Sequence, residues 1–295
     1  MSTGHRSGYV NIIGNPNVGK STLMNALVGE RLSIITSKAQ TTRHRILGIV
    51  NEPEYQIIFS DTPGIIDPAY ALQESMMDFV KSAFEDADVL VYLVEIGEKG
   101  LKDAQFFKKL EATKVPLLLL INKIDTTDQA ALETAVDQWS TALPHAEIHP
   151  ISALEGFGVA QVLDRIKELL PLGPAYFDKE QLTDKSERFF VSETIREKIL
   201  LNYKKEIPYS VEIEVESFKE EEKIIFVRAV IMVERETQKG IIIGHQGKAL
   251  KRVGSEARKD LEVFFQKQLH LELYVKVNKD WRSNENQLRR FGYQG

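Results

Sequence analysis

The chain has 295 residues, enough for about two domains, and its 43% hydrophobic and 27% charged residues are typical of a globular protein with ordinary cores. It has no cysteine, which excludes disulfides, cysteine nucleophiles and thiolate zinc sites and favours a reducing compartment. We expect no signal peptide, and the longest apolar stretches are too short to span a bilayer.

The net charge of −5 is divided unevenly along the chain. Residues 1–187 carry 17 Lys and Arg against 26 Asp and Glu, whereas residues 188–295 carry 21 against 17. A basic second half favours a polyanionic partner, although chance variation of the surface would explain the charge alone equally well.

In the first half, short apolar runs alternate with amphipathic stretches. The runs that predict buried strands are 9–13, 55–60, 89–94, 117–121 and 148–151, and the predicted helices are 20–28, 72–87, 103–112, 129–143 and 159–169. This alternation predicts an α/β domain with a mostly parallel sheet. Residues 46–51 precede the second run by a short turn and predict an antiparallel edge strand.

A Pro-Leu-Gly-Pro break at 171–174 separates this domain from a polar stretch, so we predict a first domain at 1–173, a linker at 174–187 and a second domain at 188–295. The second half reads as a helix, two strands, helices around a glycine loop, and a further strand, which is an α+β order.

Residues 14–21, GNPNVGKS, match the phosphate-binding pattern GxxxxGK[ST] between a predicted strand and a predicted helix. The glycines allow the backbone N–H groups to surround phosphates, and the helix N-terminus adds its positive dipole end. Lys20 would contact the β- and γ-phosphates, and the Ser21 hydroxyl would reach Mg²⁺. The nucleotide-binding residues predicted here are Gly14, Asn15, Asn17, Val18, Gly19, Lys20, Ser21 and Thr22.

The tetrapeptide at 122–125, NKID, indicates guanine as the base because it ends a predicted strand. Asp125 can accept hydrogen bonds from N1–H and the exocyclic amine of guanine, a pair that adenine does not offer. After the next strand, backbone N–H groups of Ser152, Ala153 and Leu154 would lie near the guanine oxygen. The predicted guanine-binding residues are therefore Asn122, Lys123, Asp125, Ser152, Ala153 and Leu154.

The motif DTPG at 61–64 would hold Mg²⁺ through water at Asp61 and contact the γ-phosphate through the Gly64 N–H. Between the two motifs, Thr42, with Thr41 as second choice, would close over Mg²⁺ in the GTP state. Lys20, Thr42 and Gly64 are the catalytic candidates, and Ser21, Thr42 and Asp61 the magnesium ligands. Ile65 stands where Ras-type GTPases have a water-orienting Gln, so the attacking water must be positioned otherwise.

A GxxG loop at 244–247 lies between an apolar triplet and a basic helix, the arrangement with which KH modules clamp about four nucleotides. The triplet 241–243 would supply an apolar groove wall. The predicted RNA-binding residues are Lys239, Ile243, Gly244, His245, Gln246, Gly247, Lys248, Lys251 and Arg252. Trp281 and Tyr293 could stack on bases, but packing is the favoured interpretation for both.

These motifs, with QTTRHR at 40–45 and the run VERETQKGIIIGHQGKALKRVGSEARKDLE at 233–262, resemble those of the Era-like bacterial GTPases over essentially the whole chain. The resemblance implies a Ras-like P-loop G domain followed by a type II KH domain. It further implies GTP hydrolysis, binding to the 3′ end of 16S rRNA, and a role in maturation of the small ribosomal subunit. A cytoplasmic location with peripheral association at the cell membrane is also implied, although no amphipathic anchor is visible; we expect a monomer.

In related enzymes a P-loop Asn helps to hold K⁺, and Asn17 is the matching position, so potassium-stimulated hydrolysis is a hypothesis alongside the GTP and Mg²⁺ requirement. Two other functions would suit a GTPase with a basic second half. An RNA-modifying enzyme under GTPase control would need a zinc cluster or a nucleophilic cysteine, and the chain has no cysteine. A membrane or scaffold GTPase whose basic face meets anionic lipid would bind liposomes without RNA.

Overall fold

A computed structural model describes residues 4–293. By its internal contacts the chain forms two compact units, the first ending at Asp184 and the second beginning at Lys185, with the short segment Tyr70–Leu72 grouped with the second. The boundary falls inside the range predicted as the linker, and the domain limits given above stay a prediction.

The first unit contains a six-stranded sheet in the order β2-β3-β1-β4-β5-β6. Its strands are β1 (Arg6–Ile13), β2 (Ile46–Asn51), β3 (Tyr55–Asp61), β4 (Val89–Glu95), β5 (Leu117–Asn122) and β6 (Glu147–Pro150). Only β2 runs antiparallel to its neighbour. The predicted α/β class and its antiparallel edge are thus confirmed.

Four helices connect these strands, namely α1 (Lys20–Val28), α2 (Ala71–Glu85), α3 (Ala104–Glu111) and α4 (Gln129–Ala142), and α5 (Val159–Leu169) follows β6. Every residue of β5 is buried, because helices cover both faces of a parallel sheet. The carboxylates of Asp103 and Asp128 cap α3 and α4 by accepting backbone N–H groups of their first turns. Strand β6 is half-buried rather than buried as expected, since it lies at the sheet's edge.

The other edge of the sheet, β2, is covered by residues 176–184. The Ile49 N–H donates to Leu182 O at 2.8 Å, and the Thr183 hydroxyl donates to Leu47 O at 2.6 Å. The Leu47 N–H in turn donates to the Asp184 carboxylate at 2.9 Å. An edge strand offers a row of unpaired backbone groups, so this part of the predicted linker is held along the sheet rather than extended away from it.

The second unit has a three-stranded sheet in the order β7-β8-β9, with β8 antiparallel to β7 and parallel to β9. Its elements are α6 (Glu187–Asn202), β7 (Glu212–Glu220), β8 (Ile224–Val233), α7 (Glu236–Ile243), α8 (Lys248–Phe265), β9 (Gln268–Val277) and α9 (Glu285–Arg290). Alternate residues of β7 and β8 pack with α6 and α8 into a separate hydrophobic core. The predicted α+β order is confirmed.

The apolar triplet 241–243 lies in α7, and its three side chains diverge with the helical period. Ile242 is fully buried, Ile243 packs on the core, and Ile241 is half exposed. Trp281 and Tyr293 are buried, at 0% and 2% exposure, so neither presents a ring for stacking. Among residues 4–293, no helix is both long and apolar enough to cross a membrane.

Candidate functional site

The phosphate-binding loop joins β1 to α1 and is shaped by positive φ angles at Gly14 and Gly19, of 153° and 103°. A Cβ on Gly14 would collide with Leu93 O, and a Cβ on Gly19 with the Asn122 amide. Only glycine fits these two positions. Asn17 also has a positive φ, 67°, and its side chain is exposed at the loop.

Lys20 is buried within this loop. Its ammonium donates to Gly14 O at 3.1 Å and to Asn15 O at 2.8 Å. Burial lowers the pKa of Lys20 to about 8, and the nearby carboxylates of Asp61 and Glu98 oppose that shift. The charge is therefore confined to the place where the predicted phosphates would lie.

The three predicted magnesium ligands converge on one point. Asp61 Oδ2 accepts hydrogen bonds from the Ser21 hydroxyl at 2.7 Å and from Thr42 Oγ1 at 3.3 Å, and the two hydroxyls are 2.9 Å apart. The Asp61 Oδ1 atom is buried without a hydrogen-bond partner among residues 4–293. Hydroxyl and carboxylate oxygens are hard ligands, so this set fits Mg²⁺. Burial raises the pKa of Asp61, which a cation would oppose.

Gly64 approaches the phosphate-binding loop closely. A Cβ there would lie 2.7 Å from Pro16 Cα, and the following Ile65 N–H donates to Gly14 O at 3.1 Å. The Ile65 side chain is fully buried, so it is held away from any attacking water. The two predicted phosphate-sensing segments are thus brought together.

The guanine-binding motif is joined to the same loop by Asn122, whose amide donates to Val18 O at 2.8 Å. Its Oδ1 accepts the Ala153 N–H at 2.9 Å, so that N–H, predicted to face guanine, is engaged within the protein. The Ser152 N–H donates to Phe157 O at 3.0 Å. Leu154 is exposed at the site. Of the three residues whose backbone N–H is predicted to face guanine, only Leu154 lines the cavity.

Asp125 is oriented by the Ser152 hydroxyl, which donates to its Oδ1 at 2.6 Å. Together these segments enclose a cavity of about 410 Å³. Its lining includes the predicted residues Asn17, Gly19, Lys20, Ser21, Thr22, Thr42, Gly64, Asn122, Lys123, Asp125 and Leu154. The sequence interpretation missed residues 34–38, which also line it; that loop carries no motif.

The side chain of Asn15 points away from the cavity. It is 5% exposed and bonds to the segment between β4 and α3, residues 96–103. Any contact of Asn15 with nucleotide is therefore through its backbone.

The GxxG loop joins α7 to α8. Gly244 and Gly247 have φ angles of 71° and 72°, and Gln246 also has a positive φ, 51°. His245, Gln246, Lys248, Lys251 and Arg252 are exposed, and Lys239 is half-buried. Arg252 pairs with Glu256 at 2.8 Å, whereas Lys248 and Lys251 make no ion pair within residues 4–293.

A groove of about 330 Å³ begins at this loop and runs between α8 and β9. Its lining is Gly247, Leu250, Lys251, Gly254, Ser255, Arg258, Leu271 and Leu273. The helical members recur every three or four residues, a signal that could have identified them from the sequence. Ile243, predicted as part of the groove wall, does not line it.

Comparison with known proteins finds a family for each of the two units. Residues 9–123 match the family described as 50S ribosome-binding GTPase, and residues 206–282 match the KH domain. The chain is 44% identical to GTPase Era of Staphylococcus haemolyticus, over 99% of this chain and 98% of that protein. It is 46% identical to GTPase Era of Syntrophus aciditrophicus, over 98% and 95%.

Among solved structures, the chain is similar to that of Era in complex with MgGDPNP and nucleotides 1506–1542 of 16S ribosomal RNA. The identity is 37%, the TM-score is 0.93, and the match covers 99% of this chain and all of that one. The similarity therefore includes both units.

Proposed function

Since the chain belongs to the Era family of GTPases, we propose that it is a GTP-hydrolysing switch whose KH domain binds single-stranded RNA from the 3′ region of 16S rRNA. The nucleotide in the G domain sets the affinity for RNA, and by linkage RNA changes nucleotide affinity by the same factor. The biological setting of this switch is maturation of the small ribosomal subunit.

The observation that carries the RNA part is the GxxG loop at the mouth of the α8–β9 groove. Two glycines at positive φ let a nucleic-acid backbone approach closely. Lys248 and Lys251 stand beside them exposed and without an acidic partner among the described residues, so their charge is available to phosphate. The apolar walls of Leu250, Leu271 and Leu273 suit unstacked bases.

Fluorescence anisotropy tests this proposal on the full chain. A short RNA copied from the 3′ end of 16S rRNA, and a scrambled control, are titrated with GDP and then with a non-hydrolysable GTP analogue. We expect tight binding of the first RNA only, with different affinities in the two nucleotide states. Weak binding to both RNAs in both states would contradict the RNA assignment and would turn attention to anionic lipid, tested with liposomes.

A variant pair localises the binding to the loop. Changing Gly244 and Gly247 to Asp places carboxylates against phosphate, and a Cβ at Gly244 would also collide with Ala249, so the change should abolish RNA binding while nucleotide binding is retained. Gly240→Asp is the matched control, because Gly240 is exposed in α7 with open space around it. Equal loss in the control would show that the effect is general repulsion.

In the nucleotide site, Ser21, Thr42 and Asp61 would hold Mg²⁺, which supplies positive charge against the phosphates during GTP hydrolysis. K⁺ at Asn17 is a further component of the proposal, motivated by its exposed side chain in the cavity and by the buried Ile65. Hydrolysis rates in matched K⁺ and Na⁺ buffers decide it, and equal rates would remove K⁺ from the mechanism.

We place the protein in the cytoplasm as a monomer, bound to the small ribosomal subunit, with peripheral association at the inner face of the membrane. A chain without cysteine suits a reducing compartment, and the small ribosomal subunit carries the RNA that the KH domain would bind. Co-sedimentation with ribosomal subunits and with liposomes separates the two partners.

A further inference from the structure

The side chain of Asn15 ties the phosphate-binding loop to the connection that follows β4. Its amide group donates to Glu98 Oε1 at 3.0 Å and to Gly100 O at 2.9 Å. Its Oδ1 accepts the Lys102 N–H at 3.1 Å. Three hydrogen bonds from one buried amide fix this part of the loop relative to the connection.

Glu98 is itself held in place by its own connection. Its Oε2 accepts the Glu95 N–H at 3.3 Å, and its N–H donates to Glu95 O at 3.2 Å. The Glu95 carboxylate in turn pairs with Lys123 of the guanine-binding motif. A continuous set of contacts therefore runs from the phosphate side of the cavity to its base side.

The partly buried position of Glu98 disfavours the charged form of its carboxylate. Burial raises its pKa, and the hydrogen bond from Asn15 is the largest contribution that lowers it. The same carboxylate favours the charged form of Lys20, whose ammonium donates to Asn15 O. Glu98 thus acts on the loop both through Asn15 and through charge.

We propose that Glu98 is a positioning residue of the nucleotide site, which holds the phosphate-binding loop through Asn15 and thereby slows the release of guanine nucleotide. This inference rests on nucleotide binding alone and is independent of the RNA part of the proposed function.

The first test is the release of fluorescent GDP from the full-length protein with Mg²⁺. Glu98→Ala leaves the buried Asn15 amide without this acceptor, so we expect release to be about tenfold faster. Asn15→Ala removes this hydrogen bond together with those to Gly100 O and the Lys102 N–H, so it should accelerate release at least as much. The double variant should fall short of the product of the two single effects, because the bond between Asn15 and Glu98 is lost only once. Lys99→Ala is the control, since Lys99 is exposed in the same connection.

A swapped pair separates positioning from general stability. Asn15→Asp sets two carboxylates against each other and should accelerate release, whereas adding Glu98→Gln restores a carboxylate–amide pair in reversed order and should recover part of the loss. The affinity ratio of GDP to IDP should stay constant throughout, since Asp125 is outside this set of contacts. Unchanged release in Glu98→Ala, additive single effects, or no recovery in the swapped pair would overturn the proposal.

Discussion

The carboxylate of Asp125 is exposed at the cavity and oriented by the Ser152 hydroxyl. We expect Asp125→Asn to weaken GDP binding by about 10² to 10⁴-fold, because two charge-assisted hydrogen bonds to guanine are lost at ~1.5–3 kcal/mol each. Binding of xanthine diphosphate should become tighter, because the Asn amide can donate to the C2 oxygen that xanthine has in place of the guanine amine. Displacement of fluorescent GDP measures both affinities.

Asp128→Asn is the matched control for this change. Asp128 lies three residues further on and caps α4, a position where Asn serves as well as Asp. Its nucleotide affinities should match those of the unmodified chain. A loss of affinity in Asp128→Asn as large as in Asp125→Asn would show that the effect does not arise from base recognition.

Gly19 is required for steric reasons as well as for its backbone conformation. At φ 103°, a Cβ would collide with the Asn122 amide, which itself donates to Val18 O. Gly19→Ala should therefore disrupt the contact between the phosphate-binding loop and the guanine-binding motif and abolish nucleotide binding.

Gly29→Ala is the control that measures the loss of stability from backbone strain in the absence of a steric collision. Gly29 also has a positive φ, 82°, but a Cβ there meets open space, so we expect a loss of only about 1 kcal/mol of unfolding free energy. Nucleotide binding and thermal unfolding are measured on both variants. Retained nucleotide binding in Gly19→Ala would contradict the steric argument.

At the scale of elements, α8 presents the charge that meets RNA. Changing Lys248 and Lys251 together to Ala should weaken RNA binding about equally for matched and scrambled sequences. The slope of binding affinity against salt concentration should fall by the amount expected for the loss of up to two phosphate contacts. In the control variant, Lys204 and Lys223 are changed to Ala; both are exposed in the same unit and do not line the groove. An equal salt dependence in both double variants would argue against α8 as the contact surface.

The elements also show what a sequence can and cannot predict. The motifs at 14–21, 61–64 and 122–125 follow strands, and the carboxyl ends of parallel strands meet at one sheet edge, so their convergence was predictable. The direction of the Asn15 side chain was not, because its partners at 98–102 form a connection without a pattern. The sequence predicts one shared role for the triplet at 241–243, yet helical geometry places its side chains in different surroundings.

For the whole molecule, the two units have separate hydrophobic cores, one within residues 13–143 and one within residues 191–275. This separation predicts that the G domain folds alone. We further predict that it ends at residue 184 rather than at residue 173. Residues 181–184 lie along β2, and Tyr176 and Phe177 bond to Gln56 in β3, although the sequence of this stretch is that of a polar linker.

Gln56 makes this end point testable. It is fully buried in β3, its Oε1 accepts the N–H groups of Tyr176 and Phe177 at 2.7 and 3.0 Å, and its amide donates to Phe177 O at 2.8 Å. A chain ending at residue 173 removes these three partners and leaves the Gln56 amide with one hydrogen bond, which it donates to Asn51 Oδ1 at 2.6 Å. We expect it to lose about 3 kcal/mol relative to a chain ending at residue 184, and to melt roughly 6–12 °C lower.

Gln56→Leu separates this cause from a general effect of truncation. In the longer chain the substitution leaves the N–H groups of Tyr176 and Phe177 and the Phe177 carbonyl without their Gln56 partners, so it should lower the melting temperature. In the shorter chain it removes a buried amide oxygen that has lost both of its donors, at the cost of the one remaining hydrogen bond to Asn51 Oδ1, and should raise the melting temperature. The melting temperature is measured for both chain lengths, each with and without Gln56→Leu. If the substitution shifts the melting temperature in the same direction in both lengths, residues 174–184 do not stabilise the G domain through Gln56.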